Sequence, residues 1–191
     1  MIVVLSSGQG RTFEALARKL PAGAIGDVIS NVETAPVRAK ARALGIREQC
    51  VENADYPSRA LHEDAIFAAL QACSSFSVIA LLGYMRIFSA TALQRIYQRW
   101  PQVRIINLHP APPSLYKGAH GLAHAIAVRA PLWGVSVHEV TEHLDSGPLL
   151  AYRPLPVLPT DTFESLRERA HPLEVEAVVE TLETLARRSP T

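Results

Sequence analysis

The sequence predicts an α/β protein built on a mostly parallel, twisted sheet. Three observations carry that expectation. Short apolar runs alternate with segments of helical period along the whole chain of 191 residues. One run, Phe76 to Leu82, is apolar apart from Ser77, as expected of a strand covered on both faces. No repeat, linker or low-complexity stretch interrupts the alternation, so residues 1–191 are expected to form a single domain, a size that supports a real core.

The elements follow in order. Ile2 to Leu5 reads as a buried strand, Gly8-Gln9-Gly10 as a loop, and Thr12 to Leu20 as a helix with Phe13, Leu16, Ala17 and Leu20 on one face. Ala24 to Ser30 is a strand, and Ala35 to Leu44 a helix stopped by Gly45. Glu48 to Val51 is a short strand; Ser58 to Ala72 is a helix with Leu61, Ala65, Ala68 and Ala69 inward. After Phe76–Leu82 come a helix at Ala90 to Tyr97 and a strand from Val103 to Ile106. His120 to Val128 reads as a helix, Gly134 to Thr141 and Leu149 to Leu155 as strands. Thr160-Asp161-Thr162 caps a terminal helix from about Phe163 to about Arg187. The pattern is that of a Rossmann-like sheet with helices on both faces and a mixed C-terminal edge. Ligands of such sheets bind beyond the carboxyl ends of the strands, where Gly8, Gly83 and Asn107 fall.

Composition removes several function classes. Apolar residues make up 48 %, charged residues 19 %, and the net charge is +1. Basic residues are scattered, so neither nucleic acid nor an anionic membrane surface is an expected partner. Two cysteines, Cys50 and Cys73, suggest neither a disulfide framework nor a thiolate metal site. The apolar start Met1 to Leu5 is too short for a signal peptide, and no run reaches membrane length, so a cytoplasmic protein is expected.

Chemistry concentrates in Ile105-Ile106-Asn107-Leu108-His109-Pro110-Ala111-Pro112-Pro113. Residues i and i+2 of a strand point to the same side. If the strand runs on past Ile106, the Asn107 amide and the His109 imidazole face one pocket, a donor beside a group that can donate, accept or carry charge. A matching carboxylate, Asp145, lies in the turn after the strand bearing Val135 and Val137. Asn, His and Asp on separate strand ends suit acyl transfer. His120 and His124, four apart, share a helical face and could in principle hold a metal. A solvated helix position is the plainer reading for His124, and no metal is expected. His138 reads either as a packed strand residue or as a functional one.

These residues bring a family into view. Val3-Val4-Leu5-Ser6-Ser7-Gly8-Gln9-Gly10, Ile29-Ser30-Asn31, Gly83-Tyr84-Met85-Arg86-Ile87-Phe88-Ser89, Asn107-Leu108-His109-Pro110 and His138 through Gly147 together resemble the folate-dependent formyltransferases, most closely the glycinamide ribonucleotide transformylases of purine synthesis. The likeness runs from Ile2 to about Arg187. It implies that 10-formyltetrahydrofolate, as co-substrate, gives its formyl group directly to an amine, with Asn107, His109 and Asp145 as catalytic residues. It further implies a phosphate cradle at Gly8, Gly10, Arg11 and Thr12, a basic phosphate neighbour in Arg59, and a ribonucleotide contact in Glu174. Met85, Arg86, Ile87 and Phe88, with Val140, Thr141 and Leu144, would bind the folate. His120 matches a histidine near the substrate. The expected partners are small molecules, and the expected state a monomer or homodimer.

The chain departs from the family at several points. Its loop reads Gly10-Arg11-Thr12 where Gly-Ser-Asn is usual. Ala111-Pro112-Pro113 follows His109-Pro110 in place of Ser-Leu-Leu-Pro. Tyr97-Gln98-Arg99-Trp100-Pro101 reads as an insertion, most simply a surface loop, and Val175 follows Glu174 where the family has His. The altered loop leaves other acceptors open, such as an amino sugar nucleotide or a hydroxylated amine. A hydrolase passing the formyl group to water and a non-catalytic folate-binding protein are further alternatives.

Overall fold

The computed structural model describes residues 1–112 and 115–188, the last without its side chain. Pro113 of the proline run lies outside the described residues. Among the described residues the chain forms strands β1 (Ile2–Leu5), β2 (Ile25–Ser30), β3 (Arg47–Cys50), β4 (Val78–Leu81), β5 (Arg104–His109), β6 (Leu132–Glu139) and β7 (Leu149–Pro156). The helices are α1 (Arg11–Lys19), α2 (Pro36–Ala43), α3 (Arg59–Ala72), α4 (Ala90–Arg99), α5 (Gly121–Ala127) and α6 (Phe163–Arg188), with a 3-10 turn at Asn53–Asp55. The strand order is β3-β2-β1-β4-β5-β6-β7. The chain divides into two compact units, Met1–Ile106 and Asn107–Thr191.

In the first unit β1 pairs in parallel with both β2 and β4, Leu5 lying opposite Ile29 and Leu81. Val3, Val4, Leu5, Val28, Ile29, Ile79 and Ala80 are almost wholly buried, which the continuous apolar runs foretold. Progress along the sheet reverses after β3, so β1 and β4 flank a topological switch point, where the carboxyl ends of neighbouring strands open a crevice. Helix α1 packs beside α2, and α3 beside α4.

Two expectations fail here. The inward face of α3 is His62, Ile66, Phe67, Ala69 and Leu70, whereas Leu61 is 48 % exposed and Ala68 is exposed. The alanines misled: the i, i+4, i+8 row His62–Ile66–Leu70 buries more area than Leu61 with small neighbours. His62 is tolerated inside because its Nε2–H donates to the Val51 carbonyl at 3.1 Å. Trp100 is not loop surface. Its ring lies 5.3 Å from that of Phe67 and 5.1 Å from that of Phe76, pinning the end of α4.

In the second unit β6 and β7 are antiparallel, with Val137 opposite Ala151 and an irregularity between Val137 and His138. Ala111, Leu122, Ala125, Trp133, Val135, Leu155, Leu166 and Ala170 form its core. Helix α6 begins with a reciprocal cap: Ser165 N–H donates to Thr162 Oγ1 at 3.2 Å, and Thr162 N–H to Ser165 Oγ at 3.0 Å.

Candidate active site

Strand β5 continues through His109, so Asn107 and His109 do share a side, and the Asp145 turn meets them. Asn107 Nδ2 is 3.4 Å from Asp145 Oδ1, and His109 Nδ1 is 3.7 Å from Asp145 Oδ2. His109 is 3 % and Asp145 8 % exposed; Asn107 is half-buried. His138 completes the cluster, its Nε2 3.2 Å from Asn107 Nδ2 and 3.4 Å from Asp145 Oδ1. All four residues belong to the second unit.

Shorter bonds surround this cluster. His109 Nε2–H donates to the Tyr116 carbonyl at 3.1 Å, so its other nitrogen faces the carboxylate. His138 Nδ1–H donates to the Glu139 carbonyl at 2.9 Å, and Gly118 N–H to Asp145 Oδ2 at 2.7 Å. Behind β5, Ser136 Oγ donates to Ala111 O at 2.8 Å and Trp133 Nε1–H to Pro110 O at 3.0 Å, which fixes the chain just after His109. Asp145 adopts a left-handed backbone, φ +45°, which Asp tolerates better than most residues. Gly147 beside it is obligatory, since a Cβ there would run into the Glu139 carbonyl oxygen. Burial pushes the Asp145 carboxyl up. Bonds from His138 and from the Gly118 N–H, with the charges of His109 and His138, outweigh it and hold the group below the usual carboxylate value. The result is a buried anion whose neighbours are two imidazoles and an amide.

The first unit supplies a different kind of site. Gly10 caps α1 in a left-handed conformation, φ +62°, and a Cβ on it would stand 2.5 Å from Val37 Cγ2. Above Gly8 the space is open, with no heavy atom within 4 Å of an added Cβ. The first turn of α1 therefore begins at a backbone with no capping side chain, below a clear approach. Thr12 is 8 % exposed and Arg11 half-buried. Met85 and Ile87 project as exposed apolar side chains, 64 % and 50 %, while Phe88 is 5 % exposed and stacks on Tyr84 with centroids 5.9 Å apart. Arg59 is held in the other segment: its Nε pairs with Glu63 at 3.0 Å and its guanidinium donates to the Ile87 carbonyl at 2.5 Å.

Of the remaining candidates, Glu174 is no solvated helix position. Its side chain is 17 % exposed and faces His171 at 3.6 Å. Val140 and Thr141 are half-buried and Leu144 is 43 % exposed, all in the turn that carries Asp145. His120 is exposed at the start of α5. His124, expected to be solvated, packs 4.6 Å from the Tyr116 ring and 5.8 Å from that of Trp133. Among the described residues no group of three His, Cys, Asp or Glu is placed to hold a metal. Burial pushes the Cys50 thiol up to about 12 and that of Cys73 up to about 11, so neither is a nucleophile at neutral pH. The sequence did not single out Tyr116 or Gly118, because both act through backbone groups.

A carboxylate, an imidazole and an amide converging at strand ends suit acyl transfer. The model of the Formyl transferase family matches residues 1–182, and the chain belongs to that family. It is a folate-dependent formyltransferase. It is 32 % identical over 200 residues to the phosphoribosylglycinamide formyltransferase of Dictyostelium discoideum, covering 97 % of each chain. With the Mycobacterium tuberculosis protein of the same name it shares 36 % identity over 196 residues, covering 100 % of this chain and 86 % of that one. The crystal structure of the Brucella melitensis phosphoribosylglycinamide formyltransferase superposes with a TM-score of 0.84 at 36 % identity, covering 100 % of this chain and 97 % of the other.

Proposed function

We propose that this protein transfers the formyl group of 10-formyltetrahydrofolate to the amine of glycinamide ribonucleotide. The observation that carries the reading is the convergence of Asn107, His109 and Asp145. The amine nitrogen attacks the formyl carbon, and the carbonyl electron pair moves onto oxygen. The Asn107 amide and a protonated His109 stabilise that oxyanion. The 3.4 and 3.7 Å contacts are the loose ones, so these donors can turn to an incoming oxygen while the shorter bonds to Tyr116, Glu139 and Gly118 keep the frame. Asp145 accepts the amine proton, directly or through water, and passes it towards the folate nitrogen as the carbon–nitrogen bond to folate breaks. Formylated amine and tetrahydrofolate leave.

In the first unit, the backbone of Gly8, Gly10, Arg11 and Thr12 takes the substrate phosphate, favoured by the dipole of α1. Met85, Arg86, Ile87 and Phe88 take the folate, Phe88 from beneath. Arg59 goes with this folate segment rather than with the phosphate, because it holds the Ile87 carbonyl. In the second unit, Glu174 is assigned to the ribonucleotide, and Val140, Thr141 and Leu144 to the folate. Residues 1–191 work as one domain on small molecules in the cytoplasm. Among the described residues no helix is long and apolar enough to cross a membrane.

Formyl transfer to a panel of amines tests the acceptor. Glycinamide ribonucleotide is expected to be formylated at the highest kcat/KM. If it accepts nothing at millimolar concentration while an amino sugar nucleotide does, the ribonucleotide assignment fails and the transfer chemistry stands.

A further inference from the structure

The switch point between β1 and β4 holds a side chain that the proposed chemistry does not use. Ser7 Oγ donates to Asn31 Oδ1 at 2.6 Å and accepts from the Met85 N–H at 2.7 Å. Its own N–H donates to the Gly83 carbonyl at 3.0 Å, so Ser7 brackets Tyr84. The backbone bond merely extends the β1–β4 ladder, as Leu82 N–H to Leu5 O does at 2.9 Å. The hydroxyl bonds do more. Asn31 is 4 % exposed and follows β2, so one hydroxyl joins the carboxyl ends of β1, β2 and β4. A hydroxyl that donates and accepts at once polarises both bonds, so each strengthens the other. Ser7 immediately precedes the Gly8–Thr12 loop, and Met85 opens the exposed Met85–Ile87 segment.

We propose that Ser7 is a positioning residue that couples the two binding segments of the first unit, so that filling the phosphate loop tightens the folate segment. The inference rests on the assignment of residues 8–12 to a phosphate and 85–88 to the folate. A phosphate bound by the loop's backbone restrains the chain around Ser7, and a restrained hydroxyl holds Met85 N–H at a smaller entropic cost. Linkage makes the effect reciprocal: folate must tighten the ribonucleotide by the same factor, which for such couplings is about 5–150-fold.

Titration calorimetry with tetrahydrofolate, a product that does not react with the amine, reads this coupling. Its dissociation constant is measured alone, with saturating glycinamide ribonucleotide, and with inorganic phosphate. In the wild type the ribonucleotide is expected to tighten tetrahydrofolate at least several-fold. Ser7→Ala brings that ratio to about one, and Ser7→Thr, which keeps the hydroxyl, restores it. Ser7→Cys serves if the alanine variant does not fold, since it keeps the volume and accepts only weakly. Two results overturn the proposal: a wild-type ratio of one, or a Ser7→Ala protein in which both affinities fall while the ratio is unchanged, the mark of a strand-end cap. If the ribonucleotide does not bind by itself but phosphate tightens tetrahydrofolate in a Ser7-dependent way, the coupling stands and the acceptor assignment falls.

Discussion

The two units build their sites from opposite materials. In the second, Asn107, His109, His138 and Asp145 bring side chains to within 3.2–3.7 Å of one another, mostly buried, with a carboxyl group held below its usual value. In the first, the proposed site is backbone: a glycine that permits a left-handed turn against Val37, a helix start without a side-chain cap, and a segment tied down through the Met85 N–H and Ile87 carbonyl. Side-chain clusters move charge and protons, whereas backbone cradles hold ligands. Damage to the second unit's cluster should therefore appear in kcat, and damage to the first unit's loops in KM.

The largest effect tests that division directly. Asn107→Ala and Asp145→Ala are each expected to lower kcat by about 10²–10³-fold or more with KM nearly unchanged. Because the residues act as a unit, the double variant should be little worse than the poorer single one, which steady-state kinetics on all three will show. Multiplicative losses would mean that the carboxylate and the amide work independently.

Gly10→Ala probes the backbone cradle. It forces a Cβ onto Val37 and a side chain into φ +62°, and should cost about 1–3 kcal/mol of stability, read by denaturant melts. Its surviving activity should show a raised KM for the amine and an unchanged KM for folate. Arg59→Ala separates the two segments of the first unit. The bond to Ile87 implies a several-fold rise in the folate KM and little change for the amine, and the reverse pattern would return Arg59 to the phosphate.

The pH dependence follows from Asp145. Its folded value lies below the ordinary 3.8, so the stability it contributes is present above that value and is lost as pH falls through the depressed folded one. Acid unfolding of Asp145→Asn should lack that part of the pH dependence. The smallest effect is a control away from both sites: Thr162→Ala removes half of the α6 cap and should cost about 1 kcal/mol with kcat and KM untouched.

Much of this was legible in the residues. The strand that delivers Asn107 and His109 is apolar, short and followed by prolines, so the shared side of i and i+2 could be read directly, although its end, read at Ile106, lies at His109. Strand and helix edges fell within about three residues because apolar periodicity marks them, the end of β5 being the largest miss. Position in space was less legible. Arg59 sits near a glycine loop in no sequence pattern at all; its partner Ile87 becomes visible only when α3 is placed. The inward row of α3 was misjudged by one residue because alanines carry little information about facing. Gly118 and Tyr116 hold Asp145 and His109 through an N–H and a carbonyl, groups that carry no sequence signal. Asp145 in a left-handed turn gives no periodic signal either.

The measurement that bears most directly on the central claim is formyl transfer from 10-formyltetrahydrofolate to glycinamide ribonucleotide by wild type and His109→Ala, with both proteins shown to share one melting profile. His109 meets a carbonyl and a carboxylate through its two nitrogens, and the proposed function gives it the oxyanion to stabilise. The account predicts a fall in kcat of at least about 10²-fold with both KM values within a few-fold of wild type. A folded His109→Ala protein that turns over within a few-fold of wild type would contradict it.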